Sequence, residues 1–332
     1  MSSVESLIPI VVEEGVAEIA GSFPLYFGGC LTDVRVAWRL AGAAKAPIVV
    51  ALGGISAGRD VFNTTSSQTG WWSGVVGPGA ALDAYSFRIL GIDFLGGSGG
   101  TTGPRAGQTD FPSISAFDQA ELLYRLLPTL GVEKFHAVVG ASYGAMVALA
   151  LAERYPQCVE RVVVISAADR SHPMASAWRS VQRATVKALA ARGAAAEGLK
   201  LARALAMTTY RSPREFKQRF DGEPIRTEAG FKLPVESYLY ARGEAYAKDY
   251  LPESFVCLSE SIDLHRVNPE HIHVQTTLVA VIEDQLVPVS DMRDLYKRLA
   301  GPKELVEFSS LYGHDAFLKE AAVLKPIFAK AL

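Results

Sequence analysis

The sequence predicts an α/β protein: a mostly parallel sheet with helices on both faces and one helical insertion. Three observations carry this. Continuous apolar, β-branched runs recur along the chain, helical patterns separate most of them, and one long stretch is rich in helix formers with no strong strand signal. Strands buried on both faces read as unbroken apolar runs, because neither set of alternating side chains meets water. Runs of that kind alternating with helices give parallel strands joined by crossovers.

The first fifty residues stand apart. Residues 8–12, 18–27 and 33–40 read as short strands of an antiparallel edge. Parallel strands are then expected over 47–52 (PIVVAL), 87–94 (FRILGIDF), 136–139 (HAVV), 161–165 (RVVVI), 277–282 (TLVAVI) and 305–308 (LVEF). Helices are expected over 117–130, where Leu122, Leu123, Leu126 and Leu127 fall at helical spacing, over 143–155, and over 316–331. From 171 to 250 the alternation stops. Residues 175–191 and 197–208 are rich in Ala, Leu, Lys and Arg, all good helix formers, and 222–230 with Pro234 punctuates the segment. This gives one α/β core, residues 1–170 and 251–332, with a helical lid, 171–250, inserted above the strand C-termini. A separate helical domain is the alternative.

Composition excludes several function classes. Apolar residues make up 49% and charged residues 20%, the balance of a folded globular chain rather than a disordered one. A formal net charge of −2 gives no basic excess for nucleic-acid phosphate. Apolar runs such as 48–52 and 145–152 are far too short to span a bilayer. The first residues lack the basic start and apolar run of a secretory signal, so a cytoplasmic location is expected, with neither membrane nor nucleic acid as a partner. Cys30, Cys158 and Cys257 are far apart and odd in number, which argues against a disulfide framework. His271 and His273 lack a further ligand cluster, so no metal site is expected.

The sharpest local signal is Gly140-Ala141-Ser142-Tyr143-Gly144, which fits G-x-S-x-G. It follows a predicted strand and opens a predicted helix. That context identifies a nucleophile elbow, a strained turn that lifts the serine hydroxyl into a site, with glycines where a Cβ would collide. Serine needs a base. The fold that carries this elbow orders its triad serine, acid, histidine. Among six histidines, His314 sits best, in the loop between the 305–308 strand and the final helix. Asp284, just past the 277–282 strand, is placed to hold its imidazole; Glu283 is the neighbour that could be confused with it. The oxyanion hole needs two backbone N–H groups. Tyr143, after the nucleophile, and Gly53, after the PIVVAL strand, are the expected donors.

With these residues in place the chain resembles the α/β-hydrolase-fold homoserine O-acyltransferases of methionine biosynthesis, the MetX type. The likeness extends beyond the elbow. Gly70-Trp71-Trp72 with Gly77-Pro78-Gly79 through Asp83, the glycine-rich run from Gly96 to Pro104, Thr209-Tyr210-Arg211-Ser212 and Tyr312-Gly313-His314-Asp315 fit the family in order. The chain departs from the family's common elbow at Ala141 and Tyr143, and from its first oxyanion loop at Gly53.

The resemblance implies ping-pong transfer of an acetyl or succinyl group from acyl-coenzyme A, through Ser142, to the hydroxyl of L-homoserine. It implies that Arg203 binds the substrate carboxylate, that Tyr210 assists two helical turns on, and that Asp315 binds the ammonium group. It implies no permanently bound cofactor, and a homodimer built through the lid. Coenzyme A is anionic, and Arg179, Arg183 and Lys187 recur every four residues along one lid helix; that stripe is the expected cofactor contact, a solvated helix face being the alternative. A serine O-acyltransferase, or an ester hydrolase on the same triad, remains open.

Overall fold

A computed structural model of the chain describes residues 9–228 and 230–332. Residues 1–8, which include the first position of the strand expected over 8–12, and residue 229 lie outside them. The described residues build an eight-stranded sheet from β1 (Ile10–Glu18), β2 (Arg35–Ala43), β3 (Ile48–Leu52), β4 (Arg88–Ile92), β5 (Phe135–Ala141), β6 (Val159–Ile165), β7 (Gln275–Val281) and β8 (Lys303–Phe308). Their spatial order is β1-β2-β4-β3-β5-β6-β7-β8. The pairs β1–β2 and β2–β4 are antiparallel, and every later pair is parallel.

Each of the six parallel runs becomes a strand, three of them starting two residues early. The N-terminal expectation is corrected. Beyond Glu18, which ends β1, the 18–27 segment does not form a sheet strand; within it Phe23–Pro24 pairs with Cys30–Leu31 in a small separate hairpin. The edge consists instead of two long strands, β1 and β2, paired from Ile10↔Ala43 to Glu18↔Arg35. Helix α1 (Ala116–Leu130) is held at its start by Ser115, whose hydroxyl accepts from the Asp118 amide while Asp118 accepts from the Ser115 amide. It ends on Gly131 in the left-handed conformation. With α2 (Tyr143–Arg154) it covers one sheet face, burying Leu122, Leu126, Val147 and Leu151. The other face is closed by Trp72, Phe317 and Phe328, rings meeting edge to face.

Between β6 and β7 the chain is helical, in α3 (Pro173–Ala190), α4 (Ala195–Tyr210), α5 (Pro213–Phe220), α6 (Pro234–Asp249) and α7 (Pro252–Leu264). Two details differ from expectation. The helical stretch runs on to Leu264 rather than stopping at 250, because no strand begins before Gln275. A short exposed hairpin, Ile225–Thr227 with Gly230–Lys232, occupies the punctuated segment. The sheet side resumes with α8 (Val289–Arg298) and ends with α9 (Ala321–Ala331). The last helix therefore starts later than expected. Gly313–Leu318 is a tight 3₁₀ turn instead, and that turn carries His314.

Cys158 and Cys257 are buried free thiols and Cys30 an exposed one. No described helix is long and apolar enough to cross a membrane.

Candidate active site

The elbow is set by the ends of three adjacent strands. Ser142 follows β5 with φ 56° and ψ −120°, a conformation that costs a non-glycine residue energy. The Ser142 amide donates to Ile165 O at the end of β6 (2.9 Å), and the Gly144 amide donates to Gly53 O just past β3 (2.8 Å). A Cβ on Gly140 would lie 2.3 Å from Gly144 O, and one on Gly144 would lie 2.4 Å from the Leu52 backbone. Both glycines are therefore required by close approach.

Asp284 lies in the loop after β7. Its Oδ1 accepts from the Leu286 and Val287 amides (2.9 and 3.0 Å), which orient the carboxylate so that Oδ2 accepts from His314 Nδ1 at 2.7 Å. Glu283 does different work, accepting from Ser309 Oγ and the Ser310 amide to tie down the loop before His314. The Ser142 hydroxyl meets His314 Nε2 at 2.9 Å. The three predicted triad residues thus come together in hydrogen-bonded order. Burial opposes the imidazolium, but the Asp284 carboxylate and its hydrogen bond outweigh it and hold the His314 pKa above the ordinary histidine value. That suits a base that must become cationic during the reaction.

The expected oxyanion donors flank this serine. Tyr143 opens α2, where an N–H has no partner within the helix. Gly53 is clamped beside it through the Gly144 bond, and a Cβ there would meet Ala57 at 2.7 Å and the Trp71 ring at 2.8 Å. The Tyr143 side chain points away into the core, its hydroxyl bonded to Ser261 Oγ of α7 (2.7 Å).

A cavity of about 200 Å³ lies over the triad, walled by the helical insertion. Arg203 and Tyr210 of α4 and Asp315 all line it. The Arg203 guanidinium sits over the rings of Tyr210 (5.3 Å) and Tyr246 (4.6 Å), and reaches the Tyr210 hydroxyl at 3.4 Å. Among the described residues no carboxylate lies within 4 Å of it, so its fork is free to meet an incoming acid. Asp315 is held differently. Its Oδ2 accepts from Arg211 Nε at 2.8 Å, and Arg211 also pairs with Glu215. Sequence spacing gives Arg211 no role, although it adjoins Tyr210. Glu215 lies at local i,i+4 spacing, but the partner that matters to the site, Asp315, is 104 residues away, and no local spacing reveals it.

The lid stripe is corrected. Arg179 and Arg183 do not form a free cationic face: both pair with Asp263 of α7 (2.6 Å each), and Arg183 also donates to Ser259 O (2.9 Å). Only Arg179 of the stripe lines the cavity, while Lys187 points to solvent. The two arginines tie α3 to α7 and hold Asp263 below the usual carboxylate range, burial opposing that shift. The two arginines of the stripe are therefore committed to Asp263, and Lys187 is its solvated member.

A family model described as the alpha/beta hydrolase fold matches residues 47–321. A homoserine O-succinyltransferase of Xanthomonas campestris pv. campestris is 39% identical over 316 residues, covering 95% of this chain and 83% of that one. A serine O-succinyltransferase of Litchfieldella anticariensis is 31% identical, covering 95% and 97%. The crystal structure of homoserine O-acetyltransferase from Bacillus anthracis superposes with a TM-score of 0.84 at 17% identity, covering 97% of each chain. That last likeness speaks for the fold.

Proposed function

The chain belongs to the homoserine O-acyltransferases of the α/β-hydrolase fold, and from that premise we propose that it moves an acyl group from an acyl-coenzyme A thioester to the hydroxyl of L-homoserine. Ser142 Oγ attacks the thioester carbonyl while His314 Nε2 takes its proton. The oxyanion is received by the Gly53 and Tyr143 amides. Collapse expels the thiol, which leaves with the proton from His314, and Ser142 stays acylated. Homoserine then enters. Arg203 binds its carboxylate with Tyr210 beside it, and the second oxygen of Asp315 meets its ammonium group. His314 takes the hydroxyl proton as the oxygen attacks, and returns it to Ser142 as the ester product leaves.

The observation that carries this reading is the unpaired Arg203 facing the triad cavity, with Asp315 next to the catalytic histidine. An esterase needs no clamp for an amino acid. Serine as acceptor is the second reading, favoured by the 31% identical serine O-succinyltransferase. It places the same carboxylate and ammonium in the same clamp with one methylene less.

Acetyl-CoA and succinyl-CoA crossed with homoserine, serine and water test it. Thiol release that depends on the amino acid is expected. Release at the same rate in water alone would reject the transferase. The proposal includes a cytoplasmic enzyme that dimerises through the helical insertion, whose exposed Val181, Leu201 and Tyr240 support such a contact. Sedimentation showing a monomer at working concentration would remove that part.

A further inference from the structure

Two polar side chains in the catalytic cavity find no hydrogen-bond partner in the protein. Ser166 is 1% exposed, and its Oγ is unpaired. Gln182 is 4% exposed, and its carboxamide bonds to no described residue, yet both side chains line the cavity. A buried polar group costs free energy unless something pairs with it.

Ser166 is close to the chemistry. It follows Ile165, whose carbonyl accepts the Ser142 amide at 2.9 Å, so its peptide abuts the nucleophile. Its φ is 53°, a left-handed conformation that glycine adopts without strain and serine does not. The hydroxyl is kept at a backbone cost. Gln182 shares one face of α3 with Ala175, Trp178 and Arg179, all of which reach the cavity. The same wall carries surplus positive charge. The surplus comes from Arg179 and Arg183, which share the single carboxylate of Asp263; Arg170, which also lines the cavity, has Asp169 at 3.8 Å. Of the acids that line it, Asp315 is paired with Arg211, and Asp291 lies on α8.

We propose that Ser166 and Gln182 bind the distal carboxylate of a short dicarboxylic acyl group, so that the donor is a succinyl-class thioester rather than acetyl. This rests on the reading that a thioester acylates Ser142. An acetyl methyl would leave both groups unpaired. A carboxylate is an acceptor only, and takes the serine O–H and the glutamine N–H together. Hydrogen bonds to an ionised acceptor are the stronger kind. The amino-acid clamp uses other residues, so the cavity distinguishes its two substrates with separate polar groups.

The test is kcat/KM with succinyl-CoA, butanoyl-CoA and acetyl-CoA at fixed homoserine, for the wild type, Ser166→Gly and Gln182→Leu. Ser166→Gly removes the hydroxyl where glycine suits the backbone, so its thermal midpoint should not fall. The wild type should favour succinyl-CoA. Each variant should lose roughly ten- to a hundredfold with succinyl-CoA and less than about threefold with butanoyl-CoA, the same chain length without the charge. A wild type that favours acetyl- or butanoyl-CoA would overturn the proposal. So would equal losses with all three donors, which would assign the two residues to the shared part of the thioester. If no donor yields amino-acid-dependent thiol release from the wild type, the transferase reading itself fails, and this proposal with it.

Discussion

The strand ends and the helical insertion hold their functional side chains by different means. At the strand ends the backbone does the holding. The Ser142 turn is fixed to two flanking strand ends by backbone hydrogen bonds from the Ser142 and Gly144 amides, and Asp284 by two amides of its own loop. On the insertion, side chains hold side chains: Arg203 rests on Tyr210 and Tyr246, and Arg179 and Arg183 on Asp263. Backbone bonds persist through most substitutions, whereas a ring or a carboxylate is one mutation from loss. On the proposed mechanism the bond-making machinery therefore sits where the fold itself fixes it, and substrate choice sits where single replacements can change it.

The largest expected effect breaks the chemistry and spares the insertion. Ser142→Ala should lower kcat by about 10⁶-fold while both substrates still bind, as a triad acting as a unit loses its function with one member. Turnover close to wild type would remove Ser142 from the mechanism. Asp284→Asn should cost roughly 10⁴-fold, because the imidazole loses its tautomer and its counter-charge. It should also move the pH profile. The base works only when neutral, so activity falls as pH drops through the His314 pKa, which Asp284 holds above the ordinary value of 6.5. Without that carboxylate burial prevails, and the acid limb of kcat/KM should move to lower pH. An unmoved limb would assign the titration elsewhere.

Arg203→Ala sharpens the comparison from the insertion side. The KM for the amino acid should rise roughly 10²-fold while that for the thioester stays put, the loss of one charge-assisted contact. Lysine should restore little, since it lacks the planar fork. Equal changes in both KM values would contradict the division of labour between the two regions.

The last effect is on stability rather than turnover and concerns the seam between them. His265, after α7, donates from Nε2 to Ala168 O (3.1 Å), and burial pushes its pKa down to about 4. The unfolded chain binds this proton near 6.5 and the folded chain does not. Stability from this group is therefore complete above pH 6.5 and lost as pH falls toward 4, by about 3 kcal/mol in all. Urea midpoints across that range for the wild type and His265→Gln measure it. Identical slopes for the two would assign the loss to other groups.

The parallel strands were legible because burial on both faces leaves an unbroken apolar run, and the elbow because its two glycines answer to local crowding. The 18–27 segment misled because its apolar residues, among them Phe23 and Leu25, are buried by the body of the protein rather than by a sheet. The acid and the base could be named from their order after strands, since the fold fixes where strands end.

What the sequence determined by itself was the parallel strands, the order of the triad residues and the family, carried by apolar runs, local turns and ordered motifs. What tertiary structure decided was which charges are free. Arg179, Arg183 and Arg203 look alike in the sequence. Asp263 pairs with the first two across a separation of 80 to 84 residues, while the third rests on the rings of Tyr210 and Tyr246 with no carboxylate among the described residues in salt-bridge reach. The same holds for Arg211, which meets Asp315 across 104 residues. A charge's partner is set by distance in space, and no spacing along the chain encodes it.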